Sequence, residues 1–552
     1  MKKFILLSIL FLSALAFSVS HSEEGANSFN SEKPKLIIGI VVDQMGYDYI
    51  GRYKNKFTEN GFNKLLSKGF VCRNANFEHF PTYTGPGHAV IYTGTNPAQH
   101  GIAANEWADK SSGKLIYCTY DSLEYTIGSN TESGKMSPRN LLVTTITDRL
   151  KFTSNFKSKI IGISLKDRAA ILPAGHFADA AYWYDGASKN WITSTYYMKF
   201  LPKWVLDFNA KSLPDKYLSQ DWNTLLPINE YTASTADENN YESAFKGEQK
   251  PVFPHLISKL TSDKYLLQST PFGNSITKDF AIETLKNEHL GKDEITDFLS
   301  ISFSSTDYVG HKFGPNSIET EDTYLRLDRD IEELLMFIDE FVGIENTLIF
   351  LTADHGNAPN PILLKDHKLD AGTFYFDTIK NSCNYYLQKT FQAENIIMQV
   401  INQQIYLNQN SINSFKLCSK TIEDSICSFL IRTFPEMNGA YPSRELGKCS
   451  VYDNIAKRFY AGYYPMRCGD IYFSVKPYWL EEKVTGTTHG SHYSYDRHVP
   501  LVWFGWKVKP GETSAYFPIT SIAASLAGIL NITVGEQADE KPILELLEKL
   551  KK

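Results

Sequence analysis

The stretch from Phe80 to Trp107 reads FPTYTGPGHAVIYTGTNPAQHGIAANEW and sets Thr84 immediately before Gly85 and Pro86. Residues from Thr84 to about Thr93 fit a short helix that Gly94 and Pro97 close. Proline is tolerated in a first helical turn because the N–H it lacks has no partner there. Thr84 is therefore expected at a helix N-terminus, where free amides and the positive end of the dipole favour an alkoxide or a phosphate. A hydroxyl so placed is a nucleophile if something takes its proton. Alone, such a threonine is more often a cap, so the groups elsewhere in the chain decide.

Acids, histidines and cations follow the apolar runs. Leu36 to Val42 leads into Asp43, Ile160 to Leu165 into Lys166 and Arg168, Phe298 to Phe303 into Asp307 and His311, and Thr347 to Leu351 into Asp354 and His355. Each run has the length and branched content of a buried parallel strand, and Val499 to Gly505 reads the same way. One acid after one strand is ordinarily a helix cap. Open α/β sheets, however, bind ligands beyond the carboxyl ends of their strands, so four such ends point to one rim. With His489 of TTHGSH the collection becomes Asp43, Thr84, Asp307, His311, Asp354, His355 and His489. Carboxylate oxygens mixed with imidazole nitrogens suit zinc better than magnesium or calcium, which take oxygen alone. The set exceeds one tetrahedral zinc and suffices for two, with positions left for substrate. His492 and His498 compete with His489 in sequence.

The elements that must position these groups follow from the pattern around them. Helical periodicity lies between some strands, clearest at Thr323 to Val342, where RLDRDIEELLMFIDEFV repeats apolar residues every three or four positions. The fold class is α/β: a largely parallel central sheet flanked by helices. Two segments fit the sheet poorly. About 169–287 is rich in Trp, Tyr and Phe, and about 359–486 holds most of the cysteines; both read as insertions forming a cap on the rim. From Pro518, PITSIAASLAGIL reads as one last helix on the sheet.

With 552 residues, 42% hydrophobic and 21% charged, the chain is globular and long enough for a large core. Lys plus Arg total 56 against 62 acids, a net charge of −6, which excludes bulk binding of a nucleic acid polymer. Any phosphate site must be local. Lys2 and Lys3, the apolar run Phe4 to Phe17 and then Ser18-Val19-Ser20 describe a signal peptide over 1–20. Residues 21–33 read as a flexible leader, and 34–552 as the catalytic domain. The early run is too short to span a membrane comfortably, so a periplasmic or secreted protein is expected. Cys72, Cys118, Cys383, Cys418, Cys427, Cys449 and Cys468 lack the close pairing of a structural zinc site, and disulfides are the expected role for most of them.

The motifs VVDQM (41–45), TGPGH (84–88), HGIAANEW (100–107), SLKDRAA (164–170), STDYVGH (305–311), TADHG (352–356) and THGSHYSYDRHVPL (488–501) occur in one order. In this the chain resembles the alkaline phosphatase superfamily, specifically its phosphate-irrepressible alkaline phosphatases, over nearly the whole mature length. The resemblance implies one zinc on Asp307, His311 and His489, and a second on Asp43, Asp354, His355 and the Thr84 oxygen. It also implies that Asn105, Lys166 and Arg168 grip the transferred phosphoryl group. A charge count agrees: two zinc ions balance three aspartates and a Thr84 alkoxide, leaving Lys166 and Arg168 for a monoester dianion. The expected function is hydrolysis of small phosphate monoesters, probing a broad range of alcohols, through a phosphothreonine on Thr84. The nearest alternative is a nucleotide pyrophosphatase/phosphodiesterase. A sulfatase is disfavoured because no C/S-x-P-x-R pattern heads the helix.

Overall fold

Apolar runs that terminate level with one another form the middle of a ten-stranded sheet. In the computed structural model, which describes residues 33–260, 263–535, 538 and 541–550, the central strands are β1 (Leu36–Val42), β4 (Ile160–Ser164), β5 (Ala180–Asp185), β7 (Asp297–Phe303) and β8 (Thr347–Thr352). The flanks are β2 (Phe70–Asn76), β3 (Thr126–Ile127), β6 (Asn190–Ser194), β9 (His498–Gly505) and β10 (Gly511–Pro518). The order is β10-β2-β9-β8-β1-β7-β4-β5-β6-β3. From β8 to β5 the neighbours are parallel. All residues of these five strands are buried, as helices on both faces require.

Val499–Gly505 departs from expectation in direction: β9 runs antiparallel to both β8 and β2. An apolar run buried on both faces looks the same read either way, so composition could not orient it. Packed around the sheet are α1 (Thr84–Thr93), α2 (Asp167–Ala174), α3 (Phe272–Asn287), α4 (Ser305–Phe313), α5 (Ile318–Phe341), α6 (Ser521–Leu530) and α7 (Leu544–Leu550). The helix after Pro518 is thus followed by another.

The aromatic segment 169–287 is not a separate cap. It supplies β5 and β6 to the sheet and α3 to its face, and Trp191 stacks on Phe280 of α3 with centroids 4.2 Å apart. Its tryptophans are core because large flat rings bury the most area per residue. The segment 359–486 differs: Ile397–Ile401, Gln404–Leu407, Ile471–Val475 and Met437–Pro442 form an antiparallel four-stranded sheet over its own apolar cluster. A further cluster joins Phe80, Ala89 and Trp107 of the Thr84 stretch to Phe459 and Tyr472.

All seven cysteines are free thiols, contrary to the disulfides expected. Cys427 belongs to the small-sheet cluster and Cys468 to the one beneath Phe80, so they act as small apolar fillers on separate elements. The predicted signal peptide and nearly all of the leader lie outside the described residues. No helix among the described residues is long and apolar enough to cross a membrane.

Candidate active site

Level strand ends are what bring the rim groups together. Val42 of β1 stands beside Phe303 of β7, and the chain stays paired one residue further, Asp43 N–H donating to Phe303 O at 3.0 Å. Thr306 Oγ1 then donates to Asp43 O at 2.6 Å, tying β1 to the start of α4. On α4, Asp307 and His311 are four residues apart and so share a face. Their Oδ1 and Nε2 lie 3.1 Å apart. From the ends of β4 and β8 come Lys166 and the pair Asp354-His355.

Thr84 is the first residue of α1 and is buried. Its Oγ1 lies 3.5 Å from His355 Nε2. The same His355 Nε2 is 3.5 Å from Asp43 Oδ1 and from Asp354 Oδ2. His489 Nε2 approaches Asp307 Oδ1 to 3.6 Å, and its ring stacks on His355 at 3.5 Å. His492 and His498 are engaged elsewhere, with Ser474 Oγ and with Arg73 O respectively.

Each of the three inward histidines is oriented by the same device. Nδ1–H donates to a backbone carbonyl: His311 to Thr487 O at 2.8 Å, His355 to Gly356 O at 3.0 Å, His489 to Thr82 O at 2.8 Å. A carbonyl only accepts, so Nδ1 carries the proton and Nε2 turns its lone pair into the site, as a metal-ligating histidine requires. Burial lowers the pKa of His355, and burial followed by the charge of His355 lowers that of His489. Both rings are therefore neutral donors.

The carboxylates are crowded. Burial, then neighbouring Asp354, pushes Asp43 well above the usual range, although Lys166 opposes this. Burial would also raise Asp307 and Asp354, yet His311 with Lys166 holds the first low, and His355 with His88 the second. The Lys166 ammonium bridges Asp43 Oδ2 at 2.7 Å and Asp307 Oδ2 at 2.5 Å. Asp43 Oδ1 and Asp354 Oδ2 are buried without a hydrogen-bond partner among the described residues. Unpaired buried carboxylate oxygens beside neutral imidazole lone pairs call for cations.

One ligand atom each from Asp307, His311 and His489 lie within 4.8 Å of one another, and so do atoms from Asp43, Asp307 and His355. Asp307 thus stands between both groups, while Asp354 leans toward His88, whose Nδ1 is 3.4 Å from Oδ2. Asn105 and Arg168 sit alongside. Asn105 Oδ1 accepts from Gly85 N–H at 2.8 Å, leaving its amide nitrogen as donor. Arg168 Nη1 donates to Tyr117 OH at 2.9 Å, and Tyr117 OH to Asp167 Oδ1 at 2.7 Å.

Three supporting residues were not singled out from the sequence. Gln44 Nε2 donates to Asp307 Oδ1 at 2.5 Å from a backbone at φ 67°. His88 Nδ1 reaches Thr84 O at 2.9 Å and its Nε2 meets Ser302 Oγ at 3.1 Å. Tyr117 holds Arg168. His88 faces the same side as Thr84 by its four-residue spacing, a signal present in TGPGH; Gln44 and Tyr117 carry no such signal.

The profile of the type I phosphodiesterase / nucleotide pyrophosphatase family matches residues 37–495. The chain is 45% identical over 529 residues to a Myroides odoratus protein named calcium-transporting ATPase, spanning 94% of this chain and 95% of that one. It is 42% identical over 528 residues to alkaline phosphatase PafA of Elizabethkingia meningoseptica, spanning 95% and 96%. The crystal structure of wild-type alkaline phosphatase PafA matches with a TM-score of 0.90 at 42% identity, covering 93% of this chain and 99% of that chain.

Proposed function

The chain belongs to the PafA-type alkaline phosphatases of the type I phosphodiesterase / nucleotide pyrophosphatase family, and from that premise we propose that it is a zinc-dependent enzyme acting through a phosphothreonine on Thr84. It is a phosphoric monoester hydrolase. The observation that carries the finer reading is the meeting of Thr84 Oγ1, three inward Nε2 atoms and three carboxylates, two of which, Asp43 and Asp307, are bridged by Lys166.

Asp307, His311 and His489 would hold one zinc ion, and Asp43, Asp354, His355 and Thr84 Oγ1 the other. Two such ions would supply neutralisation of charge at the attacking and departing oxygens of an in-line displacement. Thr84 Oγ1, its proton passing to the departing alcohol or to solvent, forms the new bond to phosphorus from the N-terminus of α1 as the ester P–O bond opposite it breaks and the alcohol leaves; the helix amides there favour the phosphoryl oxygens. Lys166 and Arg168 bring two positive charges to those oxygens, Arg168 as a fork held by Tyr117 and Lys166 as a point charge. Asn105 donates from its amide. Water then cleaves the Thr84–phosphorus bond, and two inversions leave the configuration at phosphorus retained.

A diester carries one charge fewer and a second organic group, which the two cations Lys166 and Arg168 receive poorly; this favours monoesters over the phosphodiesterase alternative. Calcium transport, in the name of the Myroides odoratus relative, draws no support from the described residues, none of whose helices could cross a membrane. The signal-like N-terminus supports export to the periplasm or the medium. Turnover of phenyl phosphate and diphenyl phosphate, measured side by side before and after chelation, tests the proposal. Phenyl phosphate should be preferred and chelation should stop its hydrolysis; preference for the diester would overturn it.

A further inference from the structure

Gln44 follows Asp43 at the end of β1 and stands in the left-handed region at φ 67°, which a residue with a Cβ disfavours. It is 1% exposed. Such strain persists only where surrounding contacts over-determine it, and it gathers at functional sites. At Gln44 every polar atom is engaged. Its N–H donates to Asp354 Oδ1 at 3.2 Å, and its carbonyl and Oε1 accept from Asn357 Nδ2 at 3.0 and 3.2 Å. Its Nε2 donates to Asp307 Oδ1 at 2.5 Å. Asn357 is held in turn by Tyr49, to whose OH its Nδ2 also donates at 3.0 Å, and the Tyr49 ring stacks on Tyr324 of α5 at 4.5 Å. An amide nitrogen only donates, so Asn357 Nδ2 turns the Gln44 amide with Oε1 toward itself and Nε2 toward Asp307. Helix α4 makes room for that amide: a Cβ at Gly310 would overlap Gln44 Oε1.

Asp307 needs such a holder. Its Oδ1 faces His311 Nε2 at 3.1 Å and His489 Nε2 at 3.6 Å, an oxygen and two imidazole lone pairs turned on one another. Lys166 holds the other oxygen, Oδ2, at 2.5 Å. Lys166 is also a proposed partner of the phosphoryl oxygens, so its hold on Asp307 is shared with substrate. Gln44 has no second task, because Asn357 occupies its remaining polar end. A carboxylate oxygen has two lone pairs; one can take the Gln44 amide while the other points between the two histidines.

We infer that Gln44 is a positioning residue that aims Asp307 Oδ1 at the zinc site shared with His311 and His489, and so sets the affinity of that zinc ion and not of the other. The assignment rests on the two-zinc reading. The side chain of Gln44 acts on Asp307 alone, whereas Asp354, a ligand of the other ion, is met by its backbone N–H, which a side-chain substitution leaves in place. Gln44 touches neither substrate nor the reacting atoms.

The test titrates zinc into the metal-stripped full chain against a chromophoric chelator, for wild type, Gln44→Met and Gln44→Asn, each alone and combined with His489→Ala. Wild type should take up two zinc ions. Gln44→Met keeps the length of the side chain but cannot donate, and it should weaken one of the two ions about 10–100-fold, the usual effect of removing a partner of a ligand. With His489→Ala, which removes a ligand of that same ion, the zinc that remains should bind alike with Gln44 or Met. Asparagine suits the left-handed region better than glutamine but is too short to reach Asp307. Gln44→Asn should therefore match or exceed the wild-type Tm without metal and still weaken the same ion, and it decides the matter if Gln44→Met fails to fold. Unchanged affinities, or an equal weakening of both ions, would overturn the positioning role. A wild type that takes up no zinc would overturn the two-zinc reading itself.

Discussion

Lys166 reaches both Asp43 and Asp307 while also serving as a proposed phosphoryl-binding cation, so its removal should act unevenly on different esters. Lys166→Ala is expected to lower kcat/KM for phenyl phosphate at least tenfold more than for diphenyl phosphate, because the lost charge matters most to a dianion; equal losses would remove the charge-matching argument. Tyr117 acts at one remove. Tyr117→Phe deletes the acceptor that holds Arg168 Nη1, a bond to a charged group worth about 1.5 kcal/mol. Monoester kcat/KM should fall about tenfold, chiefly through KM, and Arg168→Ala should show little further sensitivity to the Tyr117 change in a double-mutant cycle. The side chains that the fold brings together around Thr84 were legible in the sequence because acids, histidines and cations after apolar runs stand out by type. Gln44 and Tyr117 were not, since an amide or a phenol gains its role only from the atom it happens to face.

Among the elements, α1 depends on its glycines for where it lies. A Cβ at Gly87 would overlap the Asp354 carbonyl oxygen, so the helix that starts at Thr84 can sit against the end of β8 only with glycine there. Gly87→Ala should move Thr84 away from His355, lowering kcat a hundredfold or so with a modest fall in Tm; a variant with unchanged kcat would show that this contact does not position the nucleophile. At the start of α5, Glu319 meets buried His255 Nε2 at 3.1 Å and Glu248 meets its Nδ1 at 3.1 Å. Burial opposes the charge, yet the two glutamates carry the pKa of His255 up to about 9. A folded pKa above the unfolded value of about 6.5 means the stabilisation is complete below that pH and is lost as pH rises through 9; its size is of the order of 3 kcal/mol. Tm should therefore decline between pH 7 and 9.5, and His255→Gln should flatten that slope whatever it does to stability at neutral pH.

For the molecule as a whole, the proposed metal ligands span Asp43 to His489 and meet only when the sheet is complete. Metal should therefore bind the folded chain and not the unfolded one. Chelation is expected to lower Tm by about 4–8 °C, estimated for two sites each held at roughly a thousand times its dissociation constant. Zinc should restore both Tm and activity and magnesium neither, since three of the seven proposed donors, His311, His355 and His489, are imidazole nitrogens. A Tm indifferent to chelation would argue against two metals held within this cluster.

The α/β class, four of the five central strands, α1 and the set of side chains that meet at the rim were determined by the sequence itself, because buried runs of branched residues and a glycine-proline helix start are local properties of a chain; β5, inside the aromatic segment, was not. Direction and depth were not. Nothing in VPLVWFG distinguishes the antiparallel β9 from its parallel neighbours, and nothing in the tryptophans of 169–287 says that they fill a core instead of covering a rim. Which of His489, His492 and His498 turns toward Asp307 was likewise decided by tertiary structure, through the partner each ring finds: the Thr82 carbonyl, the Ser474 hydroxyl and the Arg73 carbonyl respectively. Such choices depend on contacts between residues hundreds of positions apart, and those exist only once the sheet has set every strand end at the same level.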